Sequence, residues 1–266
     1  MRLFGKIRKA VKDPKRAFAV MCEKYLAHYN GVSYDFFKNG EADILKKLSQ
    51  FELKVIFDVG SNIGEWALIA NRYFKQAKIH CFEISKKTFG TLSKNVTGDQ
   101  YILNNIGLSN ISGEITYKDY GPNSGVNTIL LEANFHDMGI KPDLIKGFVL
   151  TGERYCEEKN IDKIDFLKID VEGAEHLVLD GFSKYLKNNL IEIIQFEYGY
   201  THGDAKFLMK DFYGLFEGYG YKVGRIRPGR VEFKEWTYRH NDFNSGPNYI
   251  AVAKTNTDII AALSGK

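Results

Sequence analysis

From about residue 51, apolar and polar residues follow one another in a way that predicts strands and helices in regular succession. Short runs rich in β-branched residues predict strands, and most are followed by apolar residues at helical spacing. The predicted strands cover 54–59, 77–83, 101–109, 164–170, 191–197, 221–227 and 248–254. The predicted helices cover 64–74, 86–95, about 174–187 and about 205–217. This alternation, closing on two strands, predicts an α/β doubly wound sheet with a terminal antiparallel strand.

Three segments fall outside the alternation. Residues 113–119 and 127–131 alternate on either side of Gly-Pro-Asn-Ser-Gly, which predicts an added β-hairpin. Residues 1–50 predict a basic helical extension that is broken at Pro14. The expected organisation is therefore this extension, a domain over residues 51–256 and a short tail over 257–266. A long loop without a predicted helix joins the last two strands.

Composition narrows the class of protein. The 266 residues are 44% hydrophobic and 26% charged, which suits one globular domain with a large core. No window approaches about 20 uninterrupted apolar residues, and the N-terminus does not resemble a signal peptide. The three cysteines are far apart and odd in number, which argues against a disulfide framework and a zinc site and favours a reducing cytoplasm.

The net charge of +4 is unevenly distributed. Residues 1–16 carry seven basic residues and one acid, a net +6, so the rest of the chain carries −2. The mildly acidic body argues against a nucleic-acid partner. In residues 1–16, apolar side chains at spacings of three and four fall on one helical face: Leu3, Phe4, Ile7 and Val11. This face could rest on an anionic membrane surface, or pack on the protein itself or on a partner subunit, as in a homo-oligomer.

Three predicted strands end in an acid: Asp58, Glu83 and Asp170. In doubly wound sheets, ligands bind beyond these strand ends. The loop that runs from Gly60 to Gly64 lacks the central glycine of a dinucleotide fingerprint, and the acid beside it would repel a pyrophosphate. S-adenosylmethionine carries no phosphate, and its ammonium and sulfonium groups would be attracted by that acid. Glu83 is placed to accept hydrogen bonds from a ribose diol, although the two glycines could also serve only close strand–helix packing.

The segments "FDVGSNIGEWALIA", "IHCFEISKKTFGTLSKN", "IDFLKIDVEGAEHLVLDGF" and "NDFNSGPNYIAVAK" resemble those of FkbM-type S-adenosylmethionine-dependent methyltransferases. The resemblance runs from about residue 51 to 254. It implies a Rossmann-like class I methyltransferase sheet and O-methylation of small molecules, many of them associated with sugars, surface glycans or natural products. Two positions depart from the family pattern with retention of charge, Glu153 and Asp242.

The resemblance assigns residues to two motifs. The cofactor motif falls on Asp58, Gly60, Asn62, Gly64 and Glu83. The second motif falls on Asp170, Glu172, Gly173 and Glu175. We also expect cofactor contacts from Asp170 and from four residues near these motifs: Ser61, Trp66, Ile84 and Asn105.

Methyl transfer to a hydroxyl requires an acceptor held in line with the sulfonium methyl. It also requires a general base or a metal ion that promotes loss of the hydroxyl proton. The catalytic candidates follow the fourth and fifth main strands: Asp170, Glu172, Glu197 and His202. Asp170 could instead bind the cofactor ammonium, and a Mg²⁺ site formed by Asp170 and Glu197 is a minority option. His202 could be a base or a loop residue, and Glu175 is expected to favour its helix dipole. Aromatic residues that could stack on a sugar are Tyr198, Tyr200, Trp236 and Tyr238.

The sequence therefore predicts an S-adenosylmethionine-dependent O-methyltransferase acting on a hydroxyl of a sugar, surface glycan or related small molecule. The alternatives are a non-catalytic cofactor-binding subunit of a glycan-assembly complex and a nucleic-acid methyltransferase. An NAD-linked oxidoreductase is disfavoured by the loop between Gly60 and Gly64. We expect a cytoplasmic protein, with peripheral membrane contact as an option.

Overall fold

The computed structural model describes residues 13–133, 139, 141–240 and 248–265. The strands are β1 Val55–Val59, β2 Lys78–Phe82, β3 Tyr101–Asn104, β4 Gly107–Leu108, β5 Gly113–Asp119, β6 Asp143–Leu150, β7 Ile164–Ile169, β8 Ile191–Glu197, β9 Tyr221–Arg227, β10 Arg230–Phe233 and β11 Asn248–Ala253. The helices are α1 Pro14–Tyr29, α2 Glu41–Leu48, α3 Glu65–Tyr73, α4 Lys86–Asn95, α5 Gly152–Lys159, α6 Glu175–Asp180, α7 Ser183–Lys187, α8 Thr201–Ala205, α9 Met209–Gly218 and α10 Thr257–Ser264.

The main sheet has eight strands in the order β10-β9-β11-β8-β7-β1-β2-β3. Neighbouring strands from β3 to β8 are parallel, whereas β11 is antiparallel to both β8 and β9. The predicted doubly wound α/β fold is therefore confirmed. The last strand lies inside the sheet rather than at its edge, since it pairs with β8 on one side and with β9 on the other, and all its residues after Asn248 are buried.

The predicted hairpin is wrong in its second strand. β5 pairs antiparallel with β6, whereas residues 127–131 contribute one isolated bridge, between Thr128 and Lys118. β4 joins β6 to complete a three-stranded sheet, so the predicted strand 101–109 is divided between two sheets. The sequence did not predict β6. Most of its residues are not buried, so apolar and polar residues alternate little along it.

Other boundaries also differ from the prediction. The predicted helix 174–187 is divided into α6 and α7, and the predicted helix at 205–217 corresponds to α8 and α9. The loop predicted between the last two strands contains β10 and a short 3₁₀ turn, Tyr238–His240. Residues 257–264 of the predicted tail form α10.

Apolar cores cover both faces of the main sheet. α2 and α10 share one of them, through the buried side chains of Ile44, Leu48 and Leu263. The predicted domain bounds of 51 and 256 remain a prediction, although the packed unit includes both flanking helices. α1 begins at Pro14, is capped by the side chain of Asp13, and buries none of its residues. No described helix is long and apolar enough to cross a membrane.

Candidate active site

A cavity of about 540 Å³ lies at the carboxyl ends of β1, β2, β7 and β8. β1 pairs with β2 on one side and with β7 on the other, so the strand order reverses there. Ligands of doubly wound sheets bind beyond the strand ends at such a reversal. The acids in the cavity wall are Glu65, Glu83, Asp170, Glu172, Glu175 and Glu197.

The loop after β1 is held against β2 by backbone hydrogen bonds. The N–H groups of Gly60 and Ser61 donate to the Phe82 carbonyl at 3.0 and 2.9 Å. Gly60 has a φ of +80°, and a Cβ there would lie 1.8 Å from a backbone carbonyl oxygen of the loop after β7. Gly64 has a φ of +91° and packs against Val96. Both glycines are thus required by the backbone, and Gly60 also forms part of the cavity wall.

Glu83 presents a buried carboxylate to the cavity. Its oxygens accept hydrogen bonds from the N–H groups of Asn62, at 3.0 Å, and Ser85, at 2.8 Å. Burial raises the pKa of Glu83 to about 7, although these two hydrogen bonds oppose the rise. The side chain of Asn105 fixes the same turn by donating to the carbonyls of Glu83 and Ile84. The Asn62 side-chain oxygen is buried without a hydrogen-bond partner in the described chain, which leaves an acceptor near the cavity.

Asp58 lies beneath the loop and not in the cavity wall. It is fully buried, and its carboxylate is 3.4 Å from the Lys168 ammonium. The same ammonium is 3.2 Å from the Asp170 carboxylate. Burial lowers the pKa of Lys168, but Asp170, Asp58 and Glu41 outweigh this effect and raise it above its usual value. A permanently charged lysine therefore stands between the two strand-end acids.

Glu41 brings the N-terminal region into this network. Its carboxylate accepts hydrogen bonds from the side-chain amides of Asn39, Gln195 and Asn248, at 2.6, 2.5 and 3.1 Å. Burial raises the pKa of Glu41 to about 7, and the charge of Lys168 opposes the rise. The start of α2 is thereby tied to β8 and β11.

Three carboxylates converge at the ends of β7 and β8. Asp170, Glu172 and Glu197 each place an oxygen within 4.8 Å of the others. Burial and the charge of Asp170 raise the pKa of both Glu172 and Glu197 well above the usual range. Burial would also raise the pKa of Asp170, but Lys168 and a hydrogen bond from Glu197 outweigh it and lower that pKa. The acid trio, as we call these three residues, thus holds an ionised Asp170 beside carboxyl groups that retain protons.

The second motif also contains a structural pair. Glu175 is fully buried and accepts hydrogen bonds from the N–H groups of Val171 and Gly173, both at 2.9 Å. Its other partner is His202, whose Nε2 lies 2.9 Å from the carboxylate. The Nδ1 of His202 lies 3.1 Å from the Gly199 nitrogen. Glu175 therefore shapes the loop after β7 instead of serving only its helix dipole, and the buried His202 ring lies between Glu175 and Gly199.

Several predicted cofactor residues lie outside the cavity wall: Asp58, Ser61, Gly64, Trp66 and Asn105. Trp66 packs in the core, with its ring centre 5.5 Å from that of Phe166 and 5.9 Å from the Lys168 nitrogen. The predicted residues that do line the cavity are Gly60, Asn62, Glu83, Ile84, Asp170, Glu172, Glu197 and His202.

The cavity wall also contains residues that the sequence did not single out. Tyr34 contributes from the N-terminal region, and residues 124–129 form part of the wall. Thr128 fixes the latter segment by donating a hydrogen bond to the Glu172 carbonyl at 3.0 Å. Lys168 was missed as well, although a lysine within an apolar strand is itself a signal of a buried ion pair.

The aromatic candidates are dispersed. Tyr200 is half exposed and lines the cavity, whereas Tyr198 is buried in the core. Trp236 and Tyr238 contact each other outside the described cavity wall. Of the two positions that depart from the family pattern, Glu153 accepts a hydrogen bond from the Lys184 N–H at the start of α7. The other, Asp242, lies outside the described residues.

Comparison with known proteins supports the predicted methyltransferase family independently of the site geometry. Residues 58–223 match the family described as the methyltransferase FkbM domain, which is more than half of the chain. The hexuronic acid methyltransferase AglP of Haloferax volcanii is 29% identical over 177 residues, covering 65% of this chain and 69% of the relative. The methyltransferase sdnD of Sordaria araneosa is 27% identical over 154 residues, covering 47% of this chain and 59% of the relative.

Two solved structures are matched at low identity. The methyltransferase FkbM of Methylobacillus flagellatus KT is 14% identical with a TM-score of 0.44, covering 75% of this chain and 43% of that chain. The plantazolicin methyltransferase BpumL in complex with SAH is 10% identical with a TM-score of 0.46, covering 95% of this chain and 99% of that chain.

The Lys168 ion pairs yield a prediction on stability. Lys168→Met leaves Asp58 buried without its counter-charge, so the free energy of unfolding should fall by about 3–5 kcal/mol. Lys163→Met is the matched control: its side chain is 48% exposed, and its ion pairs should contribute about 1 kcal/mol or less. Urea denaturation of both variants and the parent at pH 5 and pH 8 provides the measurement.

The loss of stability in Lys168→Met should change with pH in a defined direction. Without Lys168 the pKa of the buried Asp58 rises further above its unfolded value, so the folded form binds protons more readily. The stability deficit should therefore be larger at pH 8 than at pH 5. A deficit equal to that of Lys163→Met, or one independent of pH, would contradict the assigned ion pairs.

Proposed function

Because this chain belongs to the methyltransferase FkbM family, it is an S-adenosylmethionine-dependent methyltransferase, and we propose that its acceptor is a hydroxyl of a sugar, surface glycan or related small molecule. The observation that carries the proposal is the placement of two acidic groups on either side of β1. Glu83 follows β2, and the acid trio follows β7 and β8, with all four carboxylates in one cavity wall. The relationship to a hexuronic acid methyltransferase supports a sugar acceptor.

Glu83 and the loop after β1 are the proposed cofactor-binding residues. An ionised Glu83 can accept both hydroxyls of a ribose, and Asn62 offers its unpartnered oxygen beside it. The absence of a side chain at Gly60 allows the loop after β1 to approach the loop after β7 closely. Asp58 contributes indirectly, because its ion pair with Lys168 fixes the end of β1.

The acid trio is the proposed site of proton transfer. The sulfonium of S-adenosylmethionine supplies the methyl group. The acceptor oxygen forms a bond to the methyl carbon as the carbon–sulfur bond breaks, and the hydroxyl proton passes to the trio. Lys168 keeps Asp170 ionised and able to take that proton, and the raised pKa values of Glu172 and Glu197 let the trio retain it. A divalent ion such as Mg²⁺ held by the same oxygens is the alternative, and chelation distinguishes the two.

Replacing Glu83 with alanine should weaken S-adenosylmethionine binding by about 1.5–3 kcal/mol, through loss of charge-assisted hydrogen bonds. Since the pKa of Glu83 is about 7, the parent affinity should fall as the pH drops from 8 to 6, whereas the variant should show no such fall. Isothermal calorimetry measures both, with Glu114→Ala as an exposed control on β5. Unchanged affinity in a folded Glu83→Ala variant would remove Glu83 from the cofactor site.

Asp170→Asn should lower turnover at least 100-fold, within the usual range for loss of a general base of about 10²–10⁴. Labelled-methyl transfer onto nucleotide sugars and extracted surface glycans provides the assay, and Asp180→Asn, an exposed acid on α6, is the control. Activity that survives exhaustive chelation would exclude the Mg²⁺ alternative. Turnover close to that of the control would contradict the role of the acid trio.

A membrane-facing N-terminus is the third part of the proposal. α1 exposes a stripe of apolar side chains at spacings of three and four, which we call the α1 stripe: Phe18, Met21, Tyr25 and Tyr29. Of the basic amphipathic segment predicted over residues 1–16, residues 1–12 lie outside the described residues. Their sequence places five basic residues and no acid before the stripe, which suits anionic headgroups. We propose a cytoplasmic enzyme that contacts the inner membrane surface reversibly.

Vesicle co-sedimentation tests this part of the proposal. The parent should pellet with phosphatidylglycerol-containing vesicles at low salt and less at physiological salt, because the attraction is partly electrostatic. A Phe18→Asp/Tyr25→Asp variant should lose this pelleting, and Tyr238→Asp, an equally exposed residue outside α1, should not. Equal pelleting with neutral vesicles, or concentration-dependent self-association that the variant abolishes, would contradict a lipid surface; the latter would assign the stripe to a homo-oligomer.

A further inference from the structure

The cavity wall carries six acids, and no lysine or arginine lines it in the described chain. Within the described residues, the wall of the cavity therefore carries acids without a compensating cation, which a neutral ligand would not require.

The buried cation nearest to this wall is already paired. The ammonium of Lys168 lies 3.4 Å from Asp58 and 3.2 Å from Asp170, and the residue is 3% exposed. An anionic ligand could approach it only by displacing one of these carboxylates. Lys168 is consequently paired with both Asp58 and Asp170 and offers no free positive charge to an anionic ligand.

We propose that the acid-lined wall, with the ionised Asp170 nearest the reacting hydroxyl, restricts the acceptor to uncharged hydroxyl compounds, such as neutral sugars, and excludes acceptors with a carboxylate, phosphate or sulfate near that hydroxyl. The inference rests on the proposed function, because it concerns the acceptor of the same cavity. An anion in this position would lose its hydration and meet like charge in its place. The net positive charge of S-adenosylmethionine, in contrast, fits the same wall.

A neutral hydroxyl is well served by the acid trio. It can donate to the ionised Asp170 and accept from a protonated Glu172 or Glu197, so both of its hydrogen-bonding functions are used. A hexuronic acid, the acceptor in the name of the AglP relative, carries a carboxylate at neutral pH. This chain and that relative should therefore differ in the charge of the acceptor that they take.

The charge of the cavity can be measured without knowing the acceptor. Ser124 lines the cavity, and of the three native cysteines Cys22 is exposed while the others are buried. A Cys22→Ser/Ser124→Cys chain is treated with a cationic and an anionic methanethiosulfonate of similar size, and the native Cys22 provides the reference ratio of rates. The cationic preference at position 124 should exceed the reference at least roughly tenfold at low salt. Asp170→Asn/Glu65→Gln, which removes two acids of the wall, should bring it back towards the reference, and a ratio equal to the reference in the parent background would overturn the proposal.

A second measurement distinguishes a failure of this inference from a failure of the proposed function. Extracted glycans are divided by anion exchange into neutral and acidic pools, and each is incubated with the enzyme and labelled S-adenosylmethionine. The label should enter the neutral pool, with at least roughly 100-fold discrimination against the acidic pool. Label entering mainly the acidic pool would overturn the inference and leave the methyltransferase activity in place. No label in either pool, from a protein that binds the cofactor, would count against the proposed glycan acceptor, while the cysteine measurement would still decide the charge of the cavity.

Discussion

The ammonium of Lys168 holds together the acids on which the rest of the site depends. It lies within 3.4 Å of Asp58, the penultimate residue of β1, and within 3.2 Å of Asp170, which follows β7. These strands meet where the strand order reverses, so the same ion pairs fix both the loop after β1 and the position of the acid trio. Because a buried carboxylate without a partner is costly, the lysine allows this end of the sheet to carry several acids in close proximity.

The same network reaches beyond the family motifs. Glu41, at the start of α2, adds a third carboxylate to the surroundings of Lys168 and is held by side-chain amides from β8 and β11. Glu175 plays a comparable part in the loop after β7, where it joins two backbone N–H groups to His202. Buried acids thus perform two tasks in this protein: some shape the backbone around the cavity, and the others face the ligand.

The sequence predicted the architecture well because the central strands are uniformly apolar and end in recognisable acids, as β1 and β7 do. It predicted Glu83 as part of the cavity wall for the same reason. It could not separate Trp66 from the cofactor site, because closeness to a motif along the chain does not show which helix face a side chain occupies. The sequence could not predict β6 or the wall segment 124–129. Neither shows strong periodicity, and both are positioned by contacts distant in sequence. Lys168 could have been predicted from the sequence, because a charged residue inside an apolar strand indicates a buried ion pair.

A crystal structure with S-adenosylhomocysteine would test the central claim most directly, namely that one cavity holds the cofactor at Glu83 and the acceptor at the acid trio. The account predicts ribose hydroxyls within about 3.2 Å of the Glu83 carboxylate, a usual hydrogen-bond limit. It also predicts that the sulfur faces Asp170 and Glu197. An adenosine bound away from Glu83, or a sulfur directed away from the acid trio, would contradict it.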